Sequence, residues 1–92
     1  MQFEWDPIKA KYNLRKHGVS FEEASSVFND VLAVVYYDPD HSVDEMRFLT
    51  IGTSVEGRLL HIAFADRDQR IRIINAREVT KREKKLYEEE SR

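Results

Sequence analysis

Arg58-Leu59-Leu60-His61-Ile62-Ala63-Phe64-Ala65 and Gln69-Arg70-Ile71-Arg72-Ile73-Ile74-Asn75, parted by Asp66-Arg67-Asp68, decide the fold. The first run is largely apolar and the second alternates, so both suit a pleated, half-buried surface, and the break between them has hairpin length. Upstream, Leu32–Tyr37 is dense in β-branched and aromatic residues, and Met46–Thr53 alternates. The connections are an acidic loop at Asp38–Glu45 and a tight turn at Val55-Glu56-Gly57. Four strands joined so briefly predict an antiparallel meander. Period two then divides the last strand, with Arg70, Arg72 and Ile74 on one face and Ile71, Ile73 and Asn75 on the other.

The first thirty residues read differently. A short strand around Gln2-Phe3-Glu4-Trp5 precedes Asp6-Pro7, an N-cap followed by the proline that suits a first helical turn. That helix runs to about His17 and stops at Gly18, with Ala10, Asn13, Leu14 and His17 on one face. Ser20 and Glu23 have capping-box spacing, and Phe21, Ala24, Ser25 and Phe28 mark the apolar face of a second helix. Thr80 and Glu83 form a second box, opening a helix that passes Tyr87 into an acidic tail, 88–92, expected to fray. The order β-α-α-β-β-β-β-α is an α+β fold of one domain, 1–92. Its antiparallel, curved sheet has four to five strands and helices packed on it.

The chain has 92 residues, 41% of them apolar, enough for one small core. A net charge of −2 argues against a uniformly basic nucleic-acid binder, yet the average conceals a split. Residues 1–45 carry four basic and nine acidic side chains, and residues 58–85 carry nine basic and four acidic. With no cysteine, disulfide scaffolds, iron–sulfur clusters, thiolate zinc sites and cysteine nucleophiles are excluded. No targeting signal or membrane-spanning run is evident, and the expected location is cytoplasmic.

Few motifs carry chemistry on their own. Arg70 and Arg72, on one strand face, suit phosphodiester oxygens, and Arg77, Lys81, Arg82, Lys84 and Lys85 extend the basic region. A solvated face with cross-strand carboxylates explains the same arginines. His61 shares a face with Leu59 and Ala63, away from Leu60, Ile62 and Phe64, and has the proton affinity for acid–base work near neutrality. A half-buried structural histidine is the commoner case. The opening Asp38-Pro39-Asp40-His41-Ser42 is like the start of a calcium loop but lacks the required glycine and glutamate, leaving an acidic hairpin loop. His17, His41 and His61 show no zinc spacing, and no phosphate-binding glycine loop exists, so no metal and no cofactor are expected.

One ordered set of residues is more specific. It runs from Phe3-Glu4-Trp5-Asp6 through Lys9, Asn13, Lys16-His17-Gly18-Val19-Ser20-Phe21-Glu22-Glu23-Ala24 and Val27-Phe28. It continues with Arg47, Ile51-Gly52, Gly57-Arg58-Leu59-Leu60 and Arg72-Ile73-Ile74-Asn75-Ala76-Arg77 to Glu83 and Tyr87. This set resembles the BrnT toxins of bacterial type II toxin–antitoxin systems, with Asn75 where many of them carry serine.

The resemblance implies a compact fold like that of the RelE toxins. It also implies a ribonuclease that arrests translation by cutting RNA, with mRNA, on or off the ribosome, as the expected substrate. A DNA-binding BrnA-type antitoxin would neutralise it in a hetero-oligomer. The expected chemistry is metal-independent attack of an RNA 2′-hydroxyl on the adjacent phosphate. Arg72 and Arg77, then Arg47, are the expected transition-state cations, and His61 or Glu83 the expected proton carriers, with Lys16, His17 and Tyr87 behind them. Lys16, Arg58, Arg70, Lys81 and Arg82 are the expected RNA contacts. The alternative is a non-catalytic protein- or nucleic-acid-binding module, such as a decayed toxin that only binds antitoxin.

Overall fold

Strand β1 (Gln2–Glu4) leads straight into helix α1 (Pro7–His17) in the computed structural model, which describes residues 1–91. Asp6 Oδ1 accepts the Ile8 amide at 2.8 Å, and Pro7 sits where the helix has no amide to satisfy. Gly18 ends the helix at a φ of 69°, its amide donating to the Leu14 carbonyl. Helix α2 (Phe21–Ser26) begins where Ser20 Oγ accepts the Glu23 amide at 3.0 Å, and a 3₁₀ turn (Val27–Asn29) continues it. The expected reciprocal bond is absent at Ser20. The Glu23 carboxylate turns inward instead, to Arg58 and Ser54, since a buried anion satisfied by three donors outcompetes one exposed cap.

Strands β2 (Val34–Tyr37), β3 (Arg47–Thr53), β4 (Leu59–Arg67) and β5 (Arg70–Glu78) form the antiparallel meander that the sequence predicts. The sheet order is β1-β5-β4-β3-β2, and β1 lies parallel to β5, Gln2 opposite Arg70, so the sheet is mixed. Alternation reports which side chains face the core and is blind to the direction of a distant partner strand.

One face of the sheet holds the core. Val19, Phe21, Ala24 and Val27 pack on Leu60, Ile62, Ile73 and Ala76, flanked by Phe3, Trp5, Ala10 and Phe28. Phe64 is the aromatic hub there, its ring 5.0 Å from Phe28 and 5.6 Å from Phe48. Gly52 lets the 3₁₀ turn settle on β3, because a Cβ there would stand 2.8 Å from Val27 Cγ1. Asn13 is the buried polar staple. Its amide donates to the Val19 and Ala76 carbonyls and its Oδ1 accepts the Ala76 amide, joining α1 to β5. Leu14, expected on the same helix face, is 52% exposed.

Helix α3 (Lys81–Glu90) covers part of the opposite face. Its capping box is complete, Thr80 Oγ1 accepting the Glu83 amide and Glu83 Oε1 accepting the Thr80 amide at 2.9 Å. The uncovered remainder of that face carries the polar side chains that matter next.

Candidate active site

A bulge builds the site. Ala63 opposes Asn75 while the next residue, Phe64, opposes Ile73, so Ile74 is the extra residue of β5. Beyond it the alternation is reset. Ile73 and Ala76 both reach the core, whereas Asn75, expected beside Ile73, emerges with Arg77 on the opposite face.

Arg77 lies opposite His61 in the β4–β5 ladder and beneath the first turn of α3. Its Nη1 and Nη2 donate to Glu83 Oε1 and Oε2 at 2.8 and 2.9 Å. The carboxylate that caps α3 is therefore the one that fixes the guanidinium. His61 is 7% exposed, with Nε2 3.5 Å from Glu83 Oε2 and 3.4 Å from the Tyr36 hydroxyl, and with Nδ1 buried and unpartnered. Burial lowers the His61 pKa against the opposing pull of Glu83, so the imidazole is neutral near pH 7. Burial, with Glu83 nearby, raises Tyr36, so its hydroxyl keeps its proton.

The hydrogen bonds from Arg77 bring Glu83 down to about 2 from 4.5. A lowered carboxylate stabilises the fold fully above its ordinary value and loses that contribution as pH falls toward its folded value. Glu83→Gln is accordingly expected to flatten the acid limb of the stability curve between about pH 4.5 and 2, read from thermal midpoints. An unaltered acid limb would contradict the pairing.

These groups line a cleft of about 420 Å³ together with Arg47, Leu49, Ala63, Ile74, Asn75, Asp38 and His41. Arg47 is a half-buried part of that lining, with no carboxylate within ion-pair distance among the described residues. His41 Nδ1 is 2.9 Å from Asp38 Oδ2, which leaves its Nε2 free at the rim. The loop expected to be merely acidic is thus a 3₁₀ turn (Pro39–His41) that presents an oriented imidazole. A tied guanidinium, a free arginine, a neutral imidazole beside a phenol and a second imidazole suit acid–base chemistry on a phosphodiester.

A family model described as the ribonuclease toxin BrnT of type II toxin–antitoxin systems matches residues 5–83. The chain belongs to the BrnT family. Every polar residue of the cleft lies inside that span. The crystal structure of the Brucella abortus ribonuclease toxin BrnT shares the fold, with a TM-score of 0.69 at 20% identity, over 88% of this chain and 99% of that one. No curated protein matches the sequence.

Other candidate residues of this BrnT-family chain lie elsewhere. Arg72 donates to Glu4 Oε2 at 3.0 Å and holds β1 to β5, and Arg70 stands 3.9 Å from Glu4. Arg58 is bound to Glu23 and to the Gly18 carbonyl. Tyr87 donates to Asp30 Oδ2 at 2.7 Å and anchors α3, while Lys81 and Arg82 are exposed on that helix. Lys16 is exposed and His17 half-buried on α1. The charge split now has a physical meaning. Arg58, Arg67, Arg70 and Arg72 of the basic part pair with Glu23, Glu45 and Glu4 of the acidic part, so much of the apparent basic surface is neutralised internally. Among the described residues no group of three or more His, Asp or Glu side chains is placed to hold a metal ion, and no helix is long and apolar enough to cross a membrane.

Sequence reasoning missed Tyr36 and Asp38 and left His41 unranked. The Asp-x-x-His spacing at 38–41 was the available signal for the last two. Tyr36 had none, because only the register of β2 on β3 brings it over the cleft.

Proposed function

We propose that this chain is a metal-independent endoribonuclease that cuts RNA in the cleft and so arrests translation. What carries the reading is the convergence of Arg77, Glu83, His61, Tyr36 and Arg47 on one cleft, in a chain of a ribonuclease-toxin family. The nucleophile is the substrate's own 2′-hydroxyl. Its oxygen forms a bond to phosphorus as the bond to the 5′-oxygen breaks, leaving a 2′,3′-cyclic phosphate and a 5′-hydroxyl.

Arg77, oriented by Glu83, and Arg47 face the charge that grows on the phosphorane. The 2′-hydroxyl proton passes to the Tyr36 oxygen as Tyr36 passes its own to His61 Nε2, and Glu83 stabilises the resulting imidazolium. His41, held through Nδ1 by Asp38, donates a proton from Nε2 to the departing 5′-oxygen, and exchange with solvent resets both histidines. Arg72 acts on activity only through the seating of β1. The proposed partner is a DNA-binding antitoxin of the BrnA type, which forms a hetero-oligomer with the chain in the cytoplasm.

An oligonucleotide bearing a single 2′-deoxy substitution at the mapped scissile position tests the chemistry. It is expected to resist cleavage, and EDTA is expected to leave the rate on the all-ribose oligonucleotide unchanged. Cleavage of the deoxy substrate, or a rate lost in EDTA and restored by a divalent cation, would overturn the reading.

A further inference from the structure

Helix α1 carries four of the cations that the fold leaves free. Lys9, Lys11, Arg15 and Lys16 form no ion pair among the described residues, whereas Arg58, Arg67, Arg70, Arg72 and Arg77 all stand within 4.0 Å of a carboxylate. A helix of the acidic part of the sequence therefore presents four unpaired cations, away from the largely neutralised arginine-rich strand. Lys9, Tyr12 and Lys16 share one helix face at i, i+3 and i+7. Tyr12 is 61% exposed, and Lys16 Nζ lies 5.7 Å from the centre of its ring.

With Asn13, His17, Ile74 and Asn75, these three line a groove of about 260 Å³. Ile74 and Asn75 also line the cleft, so the groove and the cleft meet across the β5 bulge. From Lys9 to Lys16 the helix rises about 10 Å, a length over which successive phosphates of one strand fit. An exposed aromatic between two cations offers a base a stacking face that tolerates any sequence.

We propose that the α1 groove holds the single-stranded RNA as it leaves the cleft, with phosphates on Lys9 and Lys16 and a base on Tyr12. The inference rests on the ribonuclease reading. A strand whose scissile phosphate lies by Arg77 must leave the cleft, and the bulge is where the cleft opens onto free cations. An acidic protein segment would match the charge but has no need of the route into the cleft or of the stacking face.

The test uses the whole chain and two variants, Lys9→Ala/Lys16→Ala and Tyr12→Ala, all changed at exposed positions. The binding probe is a fluorescent, uncleavable 2′-O-methyl RNA 20-mer. For the double variant, affinity is expected to fall about tenfold at 0.1 M salt, and the slope of log K against log salt to shrink by about 1.4, as two lost phosphate contacts require. Tyr12→Ala is expected to weaken binding about tenfold with an unchanged slope. In cleavage the loss is expected in KM, and it should shrink as the substrate shortens to a dinucleotide that cannot reach α1.

Wild type that cuts RNA, with variants that bind and cut long RNA equally well, would overturn this proposal alone. Variants with unchanged RNA binding that escape their antitoxin would overturn it in favour of an acidic protein site. Wild type that neither binds the probe nor cuts RNA would overturn the ribonuclease reading and this inference with it.

Discussion

Arg77→Ala is expected to slow RNA cleavage by about 10² to 10³-fold, the usual cost of removing one preorganised donor from a developing oxyanion. The guanidinium is held at two points by Glu83 and meets His61 across the ladder, so it reaches the transition state without reorganising. Its removal leaves the Glu83 carboxylate without its main partner and raises that group's pKa toward the ordinary range. Arg77→Lys keeps a charge but cannot make the two-point contact, and an intermediate rate is expected. Arg72→Ala is expected to cost less than either, because Arg72 is engaged with Glu4 outside the cleft. Initial rates on one oligonucleotide, with thermal midpoints to exclude unfolding, decide the order. A fully active Arg77→Ala would remove the basis of the mechanism.

The largest effect on stability is expected from Arg58→Ala, about 3 kcal/mol, the cost of stripping one partner from a buried ion pair. The Glu23 side chain is only 3% exposed, and its oxygens accept from Arg58 and from Ser54 Oγ. Arg58 also donates to the Gly18 carbonyl, so one side chain ties the end of α1 and the start of α2 to β4. Without it Glu23 is a buried, poorly compensated anion. Arg58 hydrogen bonds hold Glu23 below its ordinary pKa in the wild type, so that part of stability is present above about 4.5 and lost as pH falls. The gap between wild type and variant is therefore expected to be widest near neutrality and to narrow in acid. Urea unfolding at several pH values measures it, and a gap under about 1 kcal/mol at pH 7 would make this a surface pair of ordinary worth.

Local signals proved legible. Asp6, Gly18 and the Thr80–Glu83 box mark helix ends because capping is settled within a few residues. His61 faces away from α1 and α2 as alternation predicts, although α3 and Tyr36 bury it more than a strand pattern can show. Illegible features depend on distant partners or on a broken period. The bulge at Ile74 has no glycine to announce it, and it moves Asn75 to the opposite face from the one that strict alternation assigns. Glu23 satisfies a capping pattern in sequence and an ion pair in space, and burial decides between them. The charge split looked like a nucleic-acid face, yet four of its arginines find carboxylates of the acidic part once the chain folds. Family membership follows from residues spread over the whole match, whereas the cleft is assembled from β2, β3, β4, β5, α3 and one loop.

Mapping RNA 5′ ends in cells shortly after induction, beside an Arg77→Ala control of equal solubility, tests the central claim most directly. The cleft mechanism predicts new 5′-hydroxyl ends with the wild type that vanish in the control. A soluble wild-type chain, free of antitoxin, that produces no new ends would contradict it.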